Sequence, residues 1–366
     1  MRKIIISLCP GIGTMAENGA LVKPKRDIIY SAKSCGFEEL IPLEDLYYNY
    51  LNDIDEKQWS LRLKRKLGRY FKERSNLKIL KNYFENASPD DIVLFQYPLY
   101  GDAGPTLAHY IWNNIDQLKV SKKIILIHDL ESFGREHTDT ISKDEEIGFL
   151  KKFDDIIVHN HKMQDSLKSV TDKNRFWDLG IFDYIDNRTT DLPRNEKSKN
   201  TIFFAGNLLK SAFIGDLRDI HNYQFHIYGP YFNDGWKSEN VVYHGSVDSQ
   251  QILDEGAKYA YGLVWDGDRI DELGGVYGQY MKFNNPYKLS SNIVSGLPII
   301  TSKEAGISDF VSTYNIGLVV DSLKDLDTIQ VSDSDYTIMK TNVLNLREKI
   351  MKGGNAKALI EQIINN

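Results

Sequence analysis

The chain alternates short, continuously apolar runs with longer stretches in which apolar residues return every three or four positions. In the first half the runs are KIIISL (3–8), DIVLFQYP (91–98), KKIILIHD (122–129) and DDIIVHN (154–160), each followed by turn-forming residues. Runs apolar at consecutive positions predict strands covered on both faces, as in a parallel sheet between helices. Residues 27–35, 104–120, 144–152 and 161–169 have the helical spacing that would cover them. A second series follows: TIFFAGN (201–207), QFHIYGP (224–230), VVYHGS (241–246), YGLVWD (261–266), LPIITS (297–302) and IGLVVD (316–321). Each joins an apolar run to Gly, Ser or Asp, and in open α/β sheets ligands bind beyond such carboxyl ends. Between the series, DNRTTDLPRNEKSKN (186–200) is polar and without periodicity, which predicts a linker or an exposed interdomain loop. The tail, 339–364, returns to helical spacing and is expected to pack across the two halves. The pattern predicts an α/β protein of two doubly wound domains, 1–180 and 181–340, closed by a C-terminal helix over 341–366.

Size and charge narrow this picture. With 366 residues, 42% of them hydrophobic, the chain can bury two cores. A net charge of −6 argues against a dedicated nucleic-acid binder, so any anion must be met by local positive groups. Cys9 and Cys35 are too few for a disulfide framework or a cysteine metal site, which fits a reducing cytoplasm. Arg2-Lys3 and the apolar run after them are too short for a secretory signal, and no run reaches the ~20 apolar residues of a membrane span. Residues 57–81 stand apart, with ten Lys/Arg and one acidic residue, Glu73. Trp59, Leu63, Leu67, Tyr70, Leu77, Leu80 and Phe84 recur there at helical spacing. Such a helix either lies peripherally on the anionic inner face of a membrane or packs on its own domain behind a solvated basic face.

The strongest candidate chemistry lies in YMKFNNPYKLSSNIVSGLPII (280–300). Pro286 suits a first helical turn, whose unpaired N–H groups attract an anion, and Lys288 adds a full charge. Leu289, Ile293 and Val294 would seat this helix on a sheet, and Gly296-Leu297-Pro298 would end it. The same string also fits an ordinary helix start. FAGNLLKS (204–211) offers backbone at Gly206 with Asn207, Lys210 and Ser211 for a diphosphate or sugar, or is simply a strand-to-helix turn. Tyr228-Gly229 and His244-Gly245-Ser246 repeat the glycine-ended pattern.

Three further strings have two readings each. Pro10-Gly11-Ile12-Gly13-Thr14 has half of a dinucleotide fingerprint but lacks its third glycine, so a loop bordering the cleft is expected. Asp266-Gly267-Asp268 reads as a turn rather than a metal site, and Gly274-Gly275-Val276-Tyr277-Gly278 as a loop with the freedom to move. Asp102, Asp129 and Glu131 follow strands of the first half and are alternative general bases or helix caps.

With these residues assembled, the chain resembles the two-domain GT-B glycosyltransferases, in which two Rossmann-like domains face a central cleft. It is similar in particular to the bacterial group of galactofuranosyltransferase-like proteins and the glucosyltransferase 3 of streptococcal adhesin glycosylation. The carriers are FQYP (95–98), IHDLESF (127–133), FAGNLLKS (204–211), GGVYGQYMKFNNPYKLS (274–290) and SGLPII (295–300). The resemblance implies a UDP-sugar bound mostly by the second domain and a saccharide acceptor, protein-linked or lipid-linked, met by the first. It implies donor contacts from Asn284, Asn285, Tyr287 and Lys288, with Lys288 at the diphosphate and Gly206, Asn207, Lys210, Ser211 and Tyr228 lining the pocket. It also implies no bound metal and no separate cofactor. Retaining members carry an acidic residue near the helix start; NNPYK has amides there, so an inverting hexose transfer in surface polysaccharide or glycoprotein synthesis is expected. A UDP-sugar epimerase of the same shape and a non-catalytic partner of another transferase are the alternatives, and a homo-oligomer remains open.

Overall fold

A computed structural model describes residues 1–8, 22–43, 59–99, 105–133, 141–168, 174–187, 199–248 and 251–366. The loop 10–14, Asp102 and most of 186–200 fall outside the described residues.

The first sheet holds β1 (Lys3–Ser7), β2 (Glu38–Glu39), β3 (Ile92–Tyr97), β4 (Lys122–Ile127), β5 (Asp155–Val158) and β6 (Arg175–Asp178), in the spatial order β2-β1-β3-β4-β5-β6. Every pairing is parallel, with Ile4 opposite Val93 and Leu94 opposite Ile124. β1, β3, β4 and β5 are the apolar runs, and β3 is buried along its whole length. β2 and β6 are edge strands whose sequences, EE and RFWD, carry charge where an edge faces water, so the buried-run criterion passes over them. Helices α1 (Lys23–Ser34), α2 (Trp59–Asn86), α3 (Pro105–Asn114), α4 (Lys143–Leu150) and α5 (His161–Lys168) connect these strands.

The second sheet holds β7 (Thr201–Ala205), β8 (Gln224–Tyr228), β9 (Val241–Tyr243), β10 (Tyr261–Val264), β11 (Ile299–Ser302) and β12 (Gly317–Val320), in the order β12-β11-β10-β7-β8-β9. It too is wholly parallel. Its helices are α6 (Gln251–Gly256), α7 (Gly275–Met281), α8 (Tyr287–Val294), α9 (Ser308–Thr313), α10 (Asp333–Met351) and α11 (Gly354–Asn365). Two large buried clusters follow the two sheets. Val343 and Ile350 of α10 belong to the second, whereas Ala356, Ile360 and Ile363 of α11 belong to the first. The chain therefore returns to its first domain at the end. Asp183 receives the N–H groups of Asn355 and Ala356 at the start of α11 (3.0 and 2.8 Å).

A second tie is made by the turn between α7 and α8. Asn285 is buried in the first domain: its amide nitrogen donates to the carbonyls of His159 (2.8 Å) and Gly180 (2.7 Å), and its oxygen accepts from Asn160 Nδ2 (2.6 Å). Its backbone N–H donates to His159 Nδ1 (2.9 Å). Tyr287 donates its hydroxyl to Asp27 of α1 and stacks on Tyr184, ring centroids 5.0 Å apart. Lys162 of α5 donates to the Ala305 carbonyl (2.9 Å). A buried polar group left without a partner costs ~1–3 kcal/mol. Asn285→Ala strands two carbonyls and is expected to lower the free energy of unfolding by about 2–4 kcal/mol. Urea unfolding checks this, and a loss below about 1 kcal/mol would show that the tie carries little of the stability.

Candidate functional site

The carboxyl ends of β7, β8 and β10 converge beside the amino end of α8. The Gly206 N–H donates to the Tyr228 carbonyl (3.2 Å), so the exits of β7 and β8 run in close contact. A Cβ at Gly229 would lie 1.9 Å from the Gly206 carbonyl oxygen, and its φ of +135° is open only to glycine. The turn after Gly206 is held by Asn207, whose side-chain oxygen accepts the Leu209 N–H (3.1 Å).

Lys288 stands in the first turn of α8, behind an N-cap, Pro286, that has no side-chain capping bond. Its Nζ donates to Asp266 Oδ1 (2.7 Å) and to the Trp265 carbonyl (3.2 Å), 4.6 Å from the centre of the Phe204 ring. The two side chains of this ion pair are each 17% exposed. An ammonium has three N–H bonds, so one is left for a ligand. The place where a Gly206 Cβ would stand is 3.8 Å from Nζ, so bare backbone faces the cation. Ser211 Oγ supports Asp266 from below (3.3 Å), and the Gly267 N–H donates to the Lys210 carbonyl (2.9 Å). Leu289, Ile293 and Val294 seat the helix in the second core. Gly296, at φ +76°, ends it by returning its N–H to the Ile293 carbonyl (2.8 Å).

Of the residues expected at a donor, Gly206, Lys210, Ser211 and Lys288 come together here, and Asn207 lies on the same turn. Ser211 is fully buried and reaches the site only through Asp266. Lys210 is exposed, its Nζ 5.0 Å from the Tyr277 ring centre, which brings the 274–278 segment to the rim. Asn284 keeps a buried side-chain oxygen with no hydrogen-bond partner among the described residues. Four residues take partners that the sequence did not indicate. Asn285 and Tyr287 spend their polar groups on the first domain, as described above. Tyr228 is buried and its hydroxyl is committed to Glu255 (2.9 Å) and Tyr259 (2.8 Å), so it supports the site from within. Asp266, read from the sequence as part of a turn, is the counter-ion of the central lysine. Among the described residues no group of three or more His, Cys, Asp or Glu is placed to hold a metal.

The first domain contributes the end of β4. Asp129 accepts the Tyr280 hydroxyl of α7 (3.1 Å), and that hydroxyl accepts the Leu130 N–H (2.9 Å). Burial and the nearby Asp129 charge push the Tyr280 hydroxyl pKa well above its usual value. The N–H groups of Glu131 and Ser132 donate to the buried Glu146 (2.7 and 3.0 Å), as does Tyr97 (2.7 Å), which fixes the turn carrying Asp129 and Glu131. His128 Nε2 meets Gln96 Oε1 (2.6 Å), while Gln96 Nε2 donates to the Lys25 carbonyl (3.2 Å). The Gln96 amide is thereby oriented, and His128 is the donor. Burial, with Lys25 nearby, holds His128 neutral by pulling its pKa well below the usual histidine value. A groove of about 720 Å³ lined by Asn200, Arg218, Tyr223 and Asn240 lies at the opposite, amino ends of β7 and β8.

His159 is buried between the domains, accepting from the Asn285 N–H and donating from Nε2 to the Ile127 carbonyl (3.0 Å). Burial lowers its pKa to about 4 from 6.5. As pH falls below 6.5 the unfolded chain takes up a proton here that the native chain refuses until about 4. Its stabilisation is therefore complete above 6.5 and is lost as pH falls toward 4. Between these limits the unfolding free energy of wild type is expected to fall, relative to His159→Gln, by about 3 kcal/mol. Urea titrations at several pH values test this; a difference independent of pH would contradict the buried neutral imidazole.

Residues 4–184 match the family described as glucosyltransferase 3-like, N-terminal domain, and residues 202–363 match its C-terminal domain. The beta-1,6-galactofuranosyltransferase WbbI of Escherichia coli (strain K12) is 27% identical over 284 residues, 75% of this chain and 80% of that protein. Glucosyltransferase 3 of Streptococcus gordonii is 22% identical over 326 residues, 87% of this chain and 85% of that protein. Among solved structures, sucrose-phosphate synthase from Thermosynechococcus elongatus superposes with a TM-score of 0.58 at 12% identity, over 100% of this chain and 98% of that one. The fold is GT-B.

Proposed function

Because the chain belongs to the glucosyltransferase 3-like family of GT-B glycosyltransferases, we propose that it moves a hexose (galactofuranose, galactose or glucose) from a UDP-sugar to a saccharide hydroxyl, with inversion. The observation that carries this reading is the Lys288–Asp266 pair beside Gly206, a poised cation at the open amino end of α8. The acceptor in this reading belongs to surface polysaccharide or glycoprotein synthesis, and the Escherichia coli relative is a galactofuranosyltransferase by name.

In this reading the diphosphate draws Lys288 away from Asp266 and lies against Gly206 and the first N–H groups of α8. Charge develops on the departing UDP, and the lysine and the helix terminus neutralise it without a metal. Lys210 and Asn207 border the pocket, and the unpartnered Asn284 oxygen accepts from the donor. The acceptor enters from the first domain. Its hydroxyl attacks the anomeric carbon from the face opposite UDP, and a carboxylate takes the proton as the new bond forms. We assign that carboxylate to Asp129, because Tyr280 ties it to the segment that leads into Lys288. Base and donor cation are thus held in one register, and the two domains exclude the water that would hydrolyse the donor.

Lys288→Ala is expected to weaken UDP binding about 10- to 100-fold, the worth of one charge-assisted hydrogen bond, in an isothermal titration. Asp266→Asn, which frees the lysine, is expected to bind UDP at least as tightly as wild type. Wild-type affinity in Lys288→Ala would remove the donor-site assignment. Asp129→Asn keeps the Tyr280 contact and is expected to lower kcat by about 100-fold or more with UDP affinity unchanged. Full turnover in that variant together with loss in Glu131→Gln would transfer the role to Glu131.

A further inference from the structure

α2 runs 28 residues, about 42 Å at 1.5 Å per residue, and the buried ones among its described side chains lie in its second half. Asn76, Leu80 and Tyr83 form the buried row, spaced by four and three, and Phe84 is buried beside them. Leu67, Tyr70 and Phe71 are 47%, 49% and 65% exposed. With Arg74 and Lys78 they follow the spacing three, four, seven and eleven from Leu67, which is one side of a helix, turned away from the buried row. The Tyr70 and Phe71 rings meet edge to face at 5.8 Å, and the Arg74 guanidinium lies 5.0 Å from the Tyr70 ring centre. Three large apolar side chains thus stand together in water with cations beside them, whereas a surface normally scatters such residues singly.

Charge selects the occupant. The segment 57–81 holds ten basic residues and one acidic residue on a chain whose net charge is −6. A second copy presenting the same helix would bring two strongly positive segments together, which disfavours self-association. An anionic bilayer meets both halves of the pattern. Leu, Tyr and Phe side chains suit the boundary between headgroups and acyl chains, and each nearby Lys or Arg gains from lipid phosphates. No described helix is long and apolar enough to cross a membrane, so the contact is one of surface docking.

We propose that α2 docks on an anionic lipid surface through the face that carries Leu67, Tyr70 and Phe71, which enter the interface, while Arg74 and Lys78 of the same face meet the headgroups. The donor site lies in the other domain, so the contact is independent of the donor-site reading. The test is co-sedimentation of the whole chain with vesicles of phosphatidylcholine alone or mixed with phosphatidylglycerol. Binding is expected to the mixed vesicles, about tenfold or more above the neutral ones, and to weaken as salt is raised. Leu67→Ser with Phe71→Ser is expected to lower that affinity about tenfold while leaving thermal unfolding and UDP binding as in wild type. No binding to the mixed vesicles, equal binding to neutral ones, or undiminished binding by the double variant would overturn the proposal. So would a concentration-dependent dimer lost in that variant, since it would give the patch to a second copy.

Discussion

A primary amide cannot be buried without partners, and the way Asn285 satisfies that constraint organises the rest of the molecule. Both of its N–H bonds and its oxygen are taken by His159, Gly180 and Asn160, all in the first domain, although Asn285 lies in the turn that opens α8 of the second. Tyr280 precedes it and reaches Asp129; Tyr287 follows it and reaches Asp27. Lys288 is the next residue. One short segment therefore sets the helix start, the position of the cation, and the distance of both from the ends of β4 and β5. The return of α11 to the first core closes the arrangement from the other end of the chain.

Lys288 is paired, and this tempers its chemistry. A lone ammonium at this depth would be costly to desolvate, and Asp266 offsets that cost while holding the cation against Phe204 and Gly206. Exchange of one anionic partner for another is cheaper than exposing and reburying a bare charge. The same carboxylate sets a limit, because a diphosphate near it is repelled unless Lys288 moves across. The proposed donor site is thus an ion pair at a helix terminus, with the close approach of Gly206 and Gly229 leaving bare backbone beside it.

Much of the fold was legible because buried parallel strands are mostly apolar on consecutive positions, as β1, β3, β4, β5 and, apart from β8, the second series are. β2 and β6 were not, since edge strands need no such run. At the site, Lys288, Gly206 and the Gly296 helix stop announced themselves through local chemistry. Asn285, Tyr287 and Tyr228 did not reveal their roles, because their partners lie 27 to 260 positions away in the chain. A polar residue inside a motif shows that it needs a partner, but the fold decides which one. Asp266 was visible only as half of Asp-Gly-Asp, and its meaning depends on a lysine 22 residues later. In α2 the periodicity was readable from end to end, but that Asn76, Leu80 and Tyr83 are buried while Leu67, Tyr70 and Phe71 are exposed was not.

The most direct measurement is a crystal structure of the chain with UDP. The expected result is a diphosphate within hydrogen-bond distance of Lys288 Nζ, against the Gly206 backbone and the first turn of α8, with the Lys288–Asp266 contact broken or shared. UDP bound elsewhere, as in the groove by Arg218 and Asn240, with Lys288 still closed on Asp266, would contradict it.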